Sequence, residues 1–371
     1  MLGLMDPLRL HPQQLVVPPQ ALPVIAQFQG ERTVAEVAEQ FKIPADQLEN
    51  LVMALETHYL LWGPSYLAQE AIKAEEIDWT GLLPKGAAFM LGADAGAVGR
   101  QLDAWLAEVE DPELPVPPRA IVVPHLDYHR GWPLYATGYR AWQGADPPDR
   151  VVVLGTNHHG IGDGVVGTRW RWTSPLGSSV ADTPLQELMD ERLGDGLLAD
   201  QLDHVPEHSI ALQLPWIQRV FGEVPVSGFL VPNPLQPMIS DDGKRVSIDQ
   251  FVTGLRDVLQ ELGGTTRLVA SSDLSHVGPQ FGEPDPLDDA RREEVEQHDR
   301  EALSIYLSGD DGRFVEFMRN LGNPSNWCSI GNMSALLGLV HDEPEIELLE
   351  YRQAFDESNH WMVSASSCAI L

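Results

Sequence analysis

The sequence predicts an α/β fold with a central mixed sheet flanked by helices, preceded by a small winged-helix-like domain. From residue 120 onward, short apolar runs alternate with helical patterns, which is typical of a sheet covered by helices on both faces. The chain has 371 residues, and a single core stops growing at roughly 250–300 residues. We therefore expect a module over residues 1–65, a connector over residues 66–85 and a larger domain over residues 86–371.

The pattern of the smaller domain begins with a helix start signal. Thr33 and Glu36 form a capping box ahead of an apolar stripe, which predicts that a helix begins after Thr33. Pro44 interrupts this stripe, a second amphipathic helix follows, and residues 59–62 are predicted to form a strand. Helix, turn, helix and strand in this order indicate a winged-helix-like module.

The charge of the chain excludes several classes of partner. The formal net charge is −31, so the surface repels phosphate backbones and anionic membranes, and no nucleic-acid partner is expected. No run of about 18 apolar residues is present, so no membrane span is predicted. Two cysteines cannot form a disulfide framework, and the first 20 residues lack a signal-peptide pattern. A cytoplasmic location is expected.

Buried strands and amphipathic helices alternate in the larger domain. Strands are predicted at "AIVVP", "RVVVLG", "PVSGFLVP" and "RLVASS", and later at "EIELLEY" and "WMVSASSCAIL". Helices are predicted around residues 98–109, 134–142, 185–191, 210–220, 248–262, 290–307 and 333–340.

Histidines follow three of the predicted strands at the point where each strand ends. His125 follows "IVVP", His158 follows "VVVLGTN" and His276 follows "LVASSDLS". Because open α/β sheets bind ligands at the carboxyl ends of their strands, we expect these imidazoles to converge. A single histidine in such a place would more often cap or pack. Three imidazoles form a set of ligands suited to iron, copper or zinc, so the sequence predicts a metal site.

Acidic and sulfur side chains accompany these histidines. Asp273, three residues before His276, is placed to orient an imidazole. Glu207 and His208 stand at the start of a helix, where they form an acid/base pair or, in the alternative, Glu207 complements the helix dipole. Cys328 also precedes a helix, which is compatible with a reactive thiolate or with a buried structural cysteine.

Other polar residues near these motifs are less specific. Asp127 follows the first histidine by two residues and is placed to orient it or to bind the metal. His159 is an alternative ligand to its neighbour or orients it. His129 and His204 are expected on loops with surface roles. No Gly-x-Ser-x-Gly elbow, Walker A loop or Gly-x-Gly-x-x-Gly fingerprint after a strand is present, so serine hydrolysis and nucleotide binding have no support.

Six ordered motifs identify a family resemblance. They are "VPHLDYHRG", "VVVLGTNHHG", "SPLGSSVAD", "EHSIALQLPW", "SSDLSH" and "NWCSIGNMSALLGLV". Their order resembles that of the Memo family, whose prokaryotic members are often called AmmeMemoRadiSam system protein B. The resemblance runs from about residue 86 to the C-terminus. Residues 1–65 are similar to a PqqD-like module that accompanies some bacterial members.

The resemblance implies a fold similar to that of class III extradiol dioxygenases, which use non-haem iron. It implies Fe(II) as the first choice of cofactor, copper as the second and zinc as the third. The implied partners are a radical-SAM enzyme and a small companion protein. By family motif, the implied metal ligands are His125, His158 and His276, and the implied pocket residues are Glu207, His208, Asp273 and Cys328.

The sequence departs from the family pattern at several positions. Asp127 adds a carboxylate beside the first histidine, and Ser329 stands where a glycine usually follows the cysteine. Ala88 and Phe89 stand where the family has an aromatic pair, so one pocket ring is missing. The expected function is a metal-dependent redox enzyme of dioxygenase-like chemistry, or an accessory to one. Two alternatives remain: a non-catalytic module that binds a peptide or ligand in the same pocket, and a metal-dependent hydrolase.

Overall fold

The chain folds into two compact units, Met1–Gly81 and Leu82–Leu371. The structure is a computed structural model that describes residues 1–160, 164–236, 244–340 and 344–371. Within these ranges, none of the helices is both long enough and apolar enough to cross a bilayer.

The smaller unit combines a short antiparallel strand pair with helices. Its strands are β1 (Leu2–Leu4) and β2 (Leu15–Val17). Its helices are α1 (Leu22–Ile25), α2 (Val34–Phe41), α3 (Ala45–Thr57) and α4 (Pro64–Thr80). The predicted capping box is present at the start of α2, and the two predicted helices pack on each other around a small apolar core.

The strand predicted at residues 59–62 is wrong, because local hydrogen bonding ends α3 there instead. Tyr59 has a φ of 55°, and the Leu60 N–H donates to Leu55 O, so the chain turns sharply. Pro64 then begins α4, since proline is pre-organised for the first turn of a helix. Most of the predicted connector is therefore helical. The strand expected in a winged-helix-like module does not form at residues 59–62.

The larger unit is built on a mixed β-sheet. Its strands are β3 (Ala120–Val123), β4 (Arg150–Thr156), β5 (Thr173–Ser174), β6 (Gly177–Ser178), β7 (Val226–Val231), β8 (Thr266–Ser271), β9 (Asp273–Val277), β10 (Ile346–Asp356) and β11 (Trp361–Ile370). The sheet has the order β10-β11-β3-β8-β4-β7, and β9 also pairs with β11. The neighbours among β3, β8, β4 and β7 are parallel, whereas β9, β10 and β3 pair with β11 in the antiparallel sense. β5 and β6 form a separate hairpin.

Helices cover both faces of this sheet, which confirms the predicted mixed α/β class. They are α5 (Ala95–Glu108), α6 (Tyr128–Arg140), α7 (Thr183–Leu193), α8 (Leu214–Phe221), α9 (Ile248–Leu262), α10 (Asp289–Tyr306), α11 (Asp311–Leu321) and α12 (Ile330–Leu339). Val122 lies in the core that contains residues of α9 and α12, whereas Val123 contacts Gly138 of α6 on the opposite face. A Cβ at Gly138 would lie 2.3 Å from Val123 Cγ1, so only glycine allows α6 this close to β3.

The parallel strands bring their carboxyl ends to one edge of the sheet. β3 ends at Val123, β8 at Ser271 and β4 at Thr156, in neighbouring positions. The chain that leaves β8 turns directly into β9, which runs antiparallel to β11. This edge therefore collects the segments that carry the histidines singled out in the sequence.

Candidate metal centre

Three histidines from separate segments meet at the carboxyl edge of the sheet. His125 follows β3, His158 follows β4, and His208 precedes the short 3-10 turn that leads into α8. Their ring centroids lie 4.9 to 5.3 Å apart. One ligand atom from each ring lies within 4.8 Å of the other two, which makes the three a candidate metal-binding group.

Hydrogen bonds fix which ring nitrogen each histidine presents. His125 Nδ1 lies 2.9 Å from the carbonyl oxygen of Ser271. A carbonyl only accepts, so Nδ1 carries the proton and the lone pair lies on Nε2. His158 Nδ1 and His208 Nδ1 each lie 3.1 Å from a Glu207 oxygen. A carboxylate at Nδ1 leaves Nε2 free to bind, as in the outer shell of histidine metal sites.

Glu207 organises the segments on either side of it. Its carboxylate accepts the backbone N–H groups of His158 at 2.9 Å, His208 at 2.7 Å and Ser209 at 2.9 Å. Burial raises the pKa of Glu207, but the hydrogen bonds and positive charge of His158 and His208 outweigh it and hold the pKa well below its usual value. Glu207 is therefore ionised and orients two imidazoles, which adds a third role to the two predicted for it.

Burial and charge set the protonation of the imidazoles. His125 is 2 % exposed, and burial, together with the charges of His158 and His208, holds its pKa well below the usual value. Burial also lowers the pKa of His208, but the hydrogen bond to Glu207 reverses the effect and raises it overall. The neutral His125 is in the state that a metal ligand requires.

His276, the third ligand predicted from the sequence, lies at this edge but outside the close group. Its Nδ1 is 3.0 Å from Leu274 O, and its ring contacts Phe281 edge-on with centroids 5.0 Å apart. Burial lowers its pKa, and the charge of His158 acts in the same direction. The group within 4.8 Å therefore contains His208 where the sequence had suggested His276.

Asp273 supports the first histidine rather than facing open solvent. Its Oδ1 accepts the His125 backbone N–H at 2.9 Å, and its Oδ2 lies 3.6 Å from His125 Nε2. Burial raises the pKa of Asp273, although the charge of His276 and the hydrogen bond from His125 oppose this. The predicted orienting role of Asp273 thus has a defined contact, made to His125.

Cys328 places sulfur beside the histidines. Its Sγ lies 3.4 Å from His125 Nε2 and 3.7 Å from Asp273 O. Burial and the charge of Asp273 raise the pKa of the thiol, so its position before α12 does not make it a thiolate by itself. A nitrogen about 2.1 Å and a sulfur about 2.3 Å from one ion lie about 3.1 to 3.6 Å apart for bond angles between square and tetrahedral. The observed separation fits two ligands of the same ion.

The remaining candidates lie at the margin of this group. Asp127 caps α6 by accepting the Arg130 N–H and pairs with the Arg130 guanidinium at 2.5 Å, so its carboxylate is engaged away from the histidines. His159 forms a second, overlapping candidate group with Glu207 and His208. His129 is exposed on α6. The surface role expected for His204 is wrong: it is buried, and its Nε2 lies 3.1 Å from Val166 O.

Two features of the site were missed by sequence reasoning. Asn332 of α12 donates through Nδ2 to Ser271 O at 2.6 Å and to Thr156 Oγ1 at 3.2 Å, which ties α12 to the ends of β8 and β4. Asp299 is fully buried and accepts from Trp327 Nε1 at 2.7 Å, next to Cys328. Polar residues inside apolar helical or strand patterns are the signal that could have identified them.

Comparison with known proteins gives a consistent result. The family described as Memo-like protein matches residues 86–369. A MEMO1 family protein of Methanopyrus kandleri is 27% identical over 270 residues, which cover 72% of this chain and 86% of that protein. MEMO1 family proteins of Thermus thermophilus and Aquifex aeolicus are 27% and 26% identical, over 84% and 85% of this chain and 91% and 87% of their own lengths. The chain belongs to the Memo-like protein family.

Proposed function

We propose that the larger unit binds one redox-active metal ion through His125, His158 and His208, with Cys328 Sγ as a fourth donor. The observation that carries this proposal is the shared orientation of the imidazoles, whose Nδ1 atoms face Ser271 O or Glu207 while their ligand atoms lie within 4.8 Å of one another. Glu207 holds two of the ligands in place, and Asp273 holds the segment that carries the first.

Family resemblance makes Fe(II) the favoured metal and copper the second choice, and the donor set suits both. Imidazole suits iron, copper and zinc, and thiolate adds preference for the softer ions. Such an ion, held by these side chains, would supply oxidation–reduction chemistry. We therefore favour an oxidoreductase of dioxygenase-like type, or an accessory to one, over a zinc-dependent hydrolase.

His276 has a different role in this proposal from the one first predicted. Its Nδ1 is engaged by Leu274 O, so Nε2 is the atom available for a proton or a ligand. We assign it to proton transfer at the edge of the site, with Asp273 as the nearby charge. His208 takes the place of His276 among the ligands.

The test is the metal content of the full chain purified without oxygen. We expect about one equivalent of iron or copper in the wild type, and a loss of about 10-fold or more in affinity for His125→Ala, His158→Ala and His208→Ala. His129→Ala is the matched control, because this exposed histidine lies on α6 beside the site. Stoichiometric metal in all three ligand variants would contradict the proposal. Zinc alone, with turnover that needs no oxygen, would favour the hydrolase.

His276→Ala distinguishes the two ligand assignments. Under this proposal it retains the metal, whereas the assignment by family motif requires that the metal is lost. Measuring metal in His208→Ala and His276→Ala side by side decides which imidazole completes the set.

The proposal extends to location and partners, by family resemblance alone. We propose that the protein acts in the cytoplasm with a radical-SAM enzyme and a small companion protein, and that the smaller unit is a PqqD-like module that captures the partner or a peptide. The family match begins at residue 86, so the smaller unit is available for such a separate task. Pull-down with and without residues 1–81, the whole of the smaller unit, tests this; unchanged capture after the deletion would exclude a role for the module.

A further inference from the structure

The sulfur of Cys328 has a hydroxyl neighbour that the metal site does not itself require. Ser329 Oγ lies 3.2 Å from Cys328 Sγ and is fully buried. Ser329 Oγ also lies 3.0 Å from Thr156 Oγ1 at the end of β4. Among the described residues, these are the hydrogen-bond contacts of this hydroxyl, so the direction of each bond can be worked out.

The direction of these hydrogen bonds follows from the side-chain amide of Asn332, which contacts Thr156 at the far end of the series. Asn332 Nδ2 only donates, and its two hydrogens face Ser271 O at 2.6 Å, Thr156 Oγ1 at 3.2 Å and Leu154 O at 3.3 Å. Of these three acceptors, only Thr156 Oγ1 also carries a proton. Thr156 accepts from Asn332, so its own proton goes to the remaining partner, Ser329 Oγ. Ser329 accepts that proton, and its own proton then points at Cys328 Sγ. The relay therefore delivers an O–H donor to the sulfur.

The side-chain amide of Asn332, which starts this relay, cannot flip its oxygen and nitrogen without losing its hydrogen-bond partners. Asn332 Oδ1 accepts from Ser272 Oγ at 3.1 Å, and Nδ2 faces carbonyl oxygens. A reversed amide would set Oδ1 against the Ser271 carbonyl, two acceptors at hydrogen-bond distance. Asn332, Thr156 and Ser329 are all at least 97 % buried, so water does not compete for the donor.

We propose that Ser329 tunes the metal centre by donating its hydroxyl hydrogen bond to the Cys328 sulfur. The inference rests on the proposed function, because it matters only when the sulfur is a thiolate ligand and has no proton of its own to donate. A hydrogen bond withdraws electron density from a ligating sulfur, which weakens its donation to the metal and favours the reduced ion. Ser329 is a tuning residue that acts through Cys328.

The experiment uses Co(II) alone as the probe, bound to the full chain in the absence of oxygen. A cobalt–thiolate bond gives a charge-transfer band whose energy rises as electron density on sulfur falls. Ser329→Ala and Ser329→Gly remove the hydroxyl, whereas Ser329→Thr retains it. Ser227→Ala is the matched control, since Ser227 is a buried serine on β7 whose Oγ has no hydrogen-bond partner among the described residues.

We expect Ser329→Ala and Ser329→Gly to shift the band to lower energy, with a loss of Co(II) affinity below about 10-fold. Ser329→Thr and Ser227→Ala should keep the wild-type band. An unshifted band in both the alanine and glycine variants overturns the inference while leaving the proposed function intact. A wild type that binds no Co(II), or a Cys328→Ser variant that keeps the charge-transfer band, overturns the sulfur ligand and this inference with it.

Discussion

Replacing Glu207 by glutamine tests whether one carboxylate orients two metal ligands. Its Oε2 accepts the His158 backbone N–H at 2.9 Å, and its Oε1 accepts the His208 N–H at 2.7 Å and the Ser209 N–H at 2.9 Å. The glutamine side chain keeps one oxygen as an acceptor. Its NH₂ group replaces the other oxygen and then faces backbone N–H groups, so two donors oppose each other there. Glu207→Gln therefore preserves the shape of the side chain but loses one half of its contacts.

The expected magnitude follows from those contacts. Loss of an outer-shell partner costs about 10- to 100-fold in metal affinity for each ligand that it orients. Because the glutamine oxygen still serves one histidine, Glu207→Gln should weaken binding by about 10- to 100-fold, and Glu207→Ala by up to about 10⁴-fold. The buried hydrogen bonds to a charged acceptor are worth about 1.5–3 kcal/mol each, so the free energy of unfolding should also fall by several kcal/mol.

The assay is competitive titration of Fe(II) or Co(II) into anaerobic apoprotein, with circular dichroism to confirm folding. Glu223→Gln serves as the matched control, because Glu223 is an exposed carboxylate before β7. A folded Glu207→Gln protein that binds metal as tightly as the wild type would refute the orienting role.

Three further predictions concern the scaffold. Burial lowers the pKa of His204 to about 4, so the unfolded chain binds a proton at this histidine before the folded chain does as the pH falls below about 6.5. In urea titrations, the wild type should therefore lose about 2 kcal/mol more of its free energy of unfolding than His204→Gln between about pH 7 and pH 5. Equal losses in the two proteins would exclude His204 as the cause. The Asp299 carboxylate accepts hydrogen bonds from Ser275, Trp327, Tyr351 and Ser364. Asp299→Asn should lower the free energy of unfolding by about 3 kcal/mol in urea, since one of its buried acceptor oxygens becomes a donor, and an unchanged midpoint would argue against this hydrogen-bond network. Gly138→Ala should cost about 1–3 kcal/mol through its clash with Val123, seen as a lower melting temperature. The control Gly99→Ala on α5, where a Cβ meets nothing within 4 Å, should be neutral or stabilising, and equal effects would refute the packing argument.

The sequence predicts the central strands well because burial on both faces leaves a strong signal. β3, β4 and β8 are short runs of apolar residues, and β-branched side chains mark them as strands. Because each of His125 and His158 follows the carboxyl end of a predicted strand in an α/β sheet, the sequence also predicts that they reach the same edge. The positions of His125 and His158 could be predicted because each depends only on which residue follows its strand.

Long-range contacts explain what the sequence does not predict. His208 joins the site because Glu207 reaches the His158 backbone, 49 residues earlier in the chain, and no local pattern encodes that contact. β9 carries alternating polar residues such as Ser275, so it lacks the apolar run that identifies the other strands. Its pairing with β11 places His276 opposite Val363, and His276 is not part of the group whose ligand atoms lie within 4.8 Å of one another.

The most direct test of the central claim is the position of the bound metal. We would grow crystals of the full chain loaded without oxygen and record anomalous scattering above and below the absorption edge of iron or copper. The account predicts one peak at bonding distance from the imidazoles of His125, His158 and His208 and from Cys328 Sγ. A peak at His159 and Glu207 outside this group, or no peak in protein shown to contain metal, would contradict it.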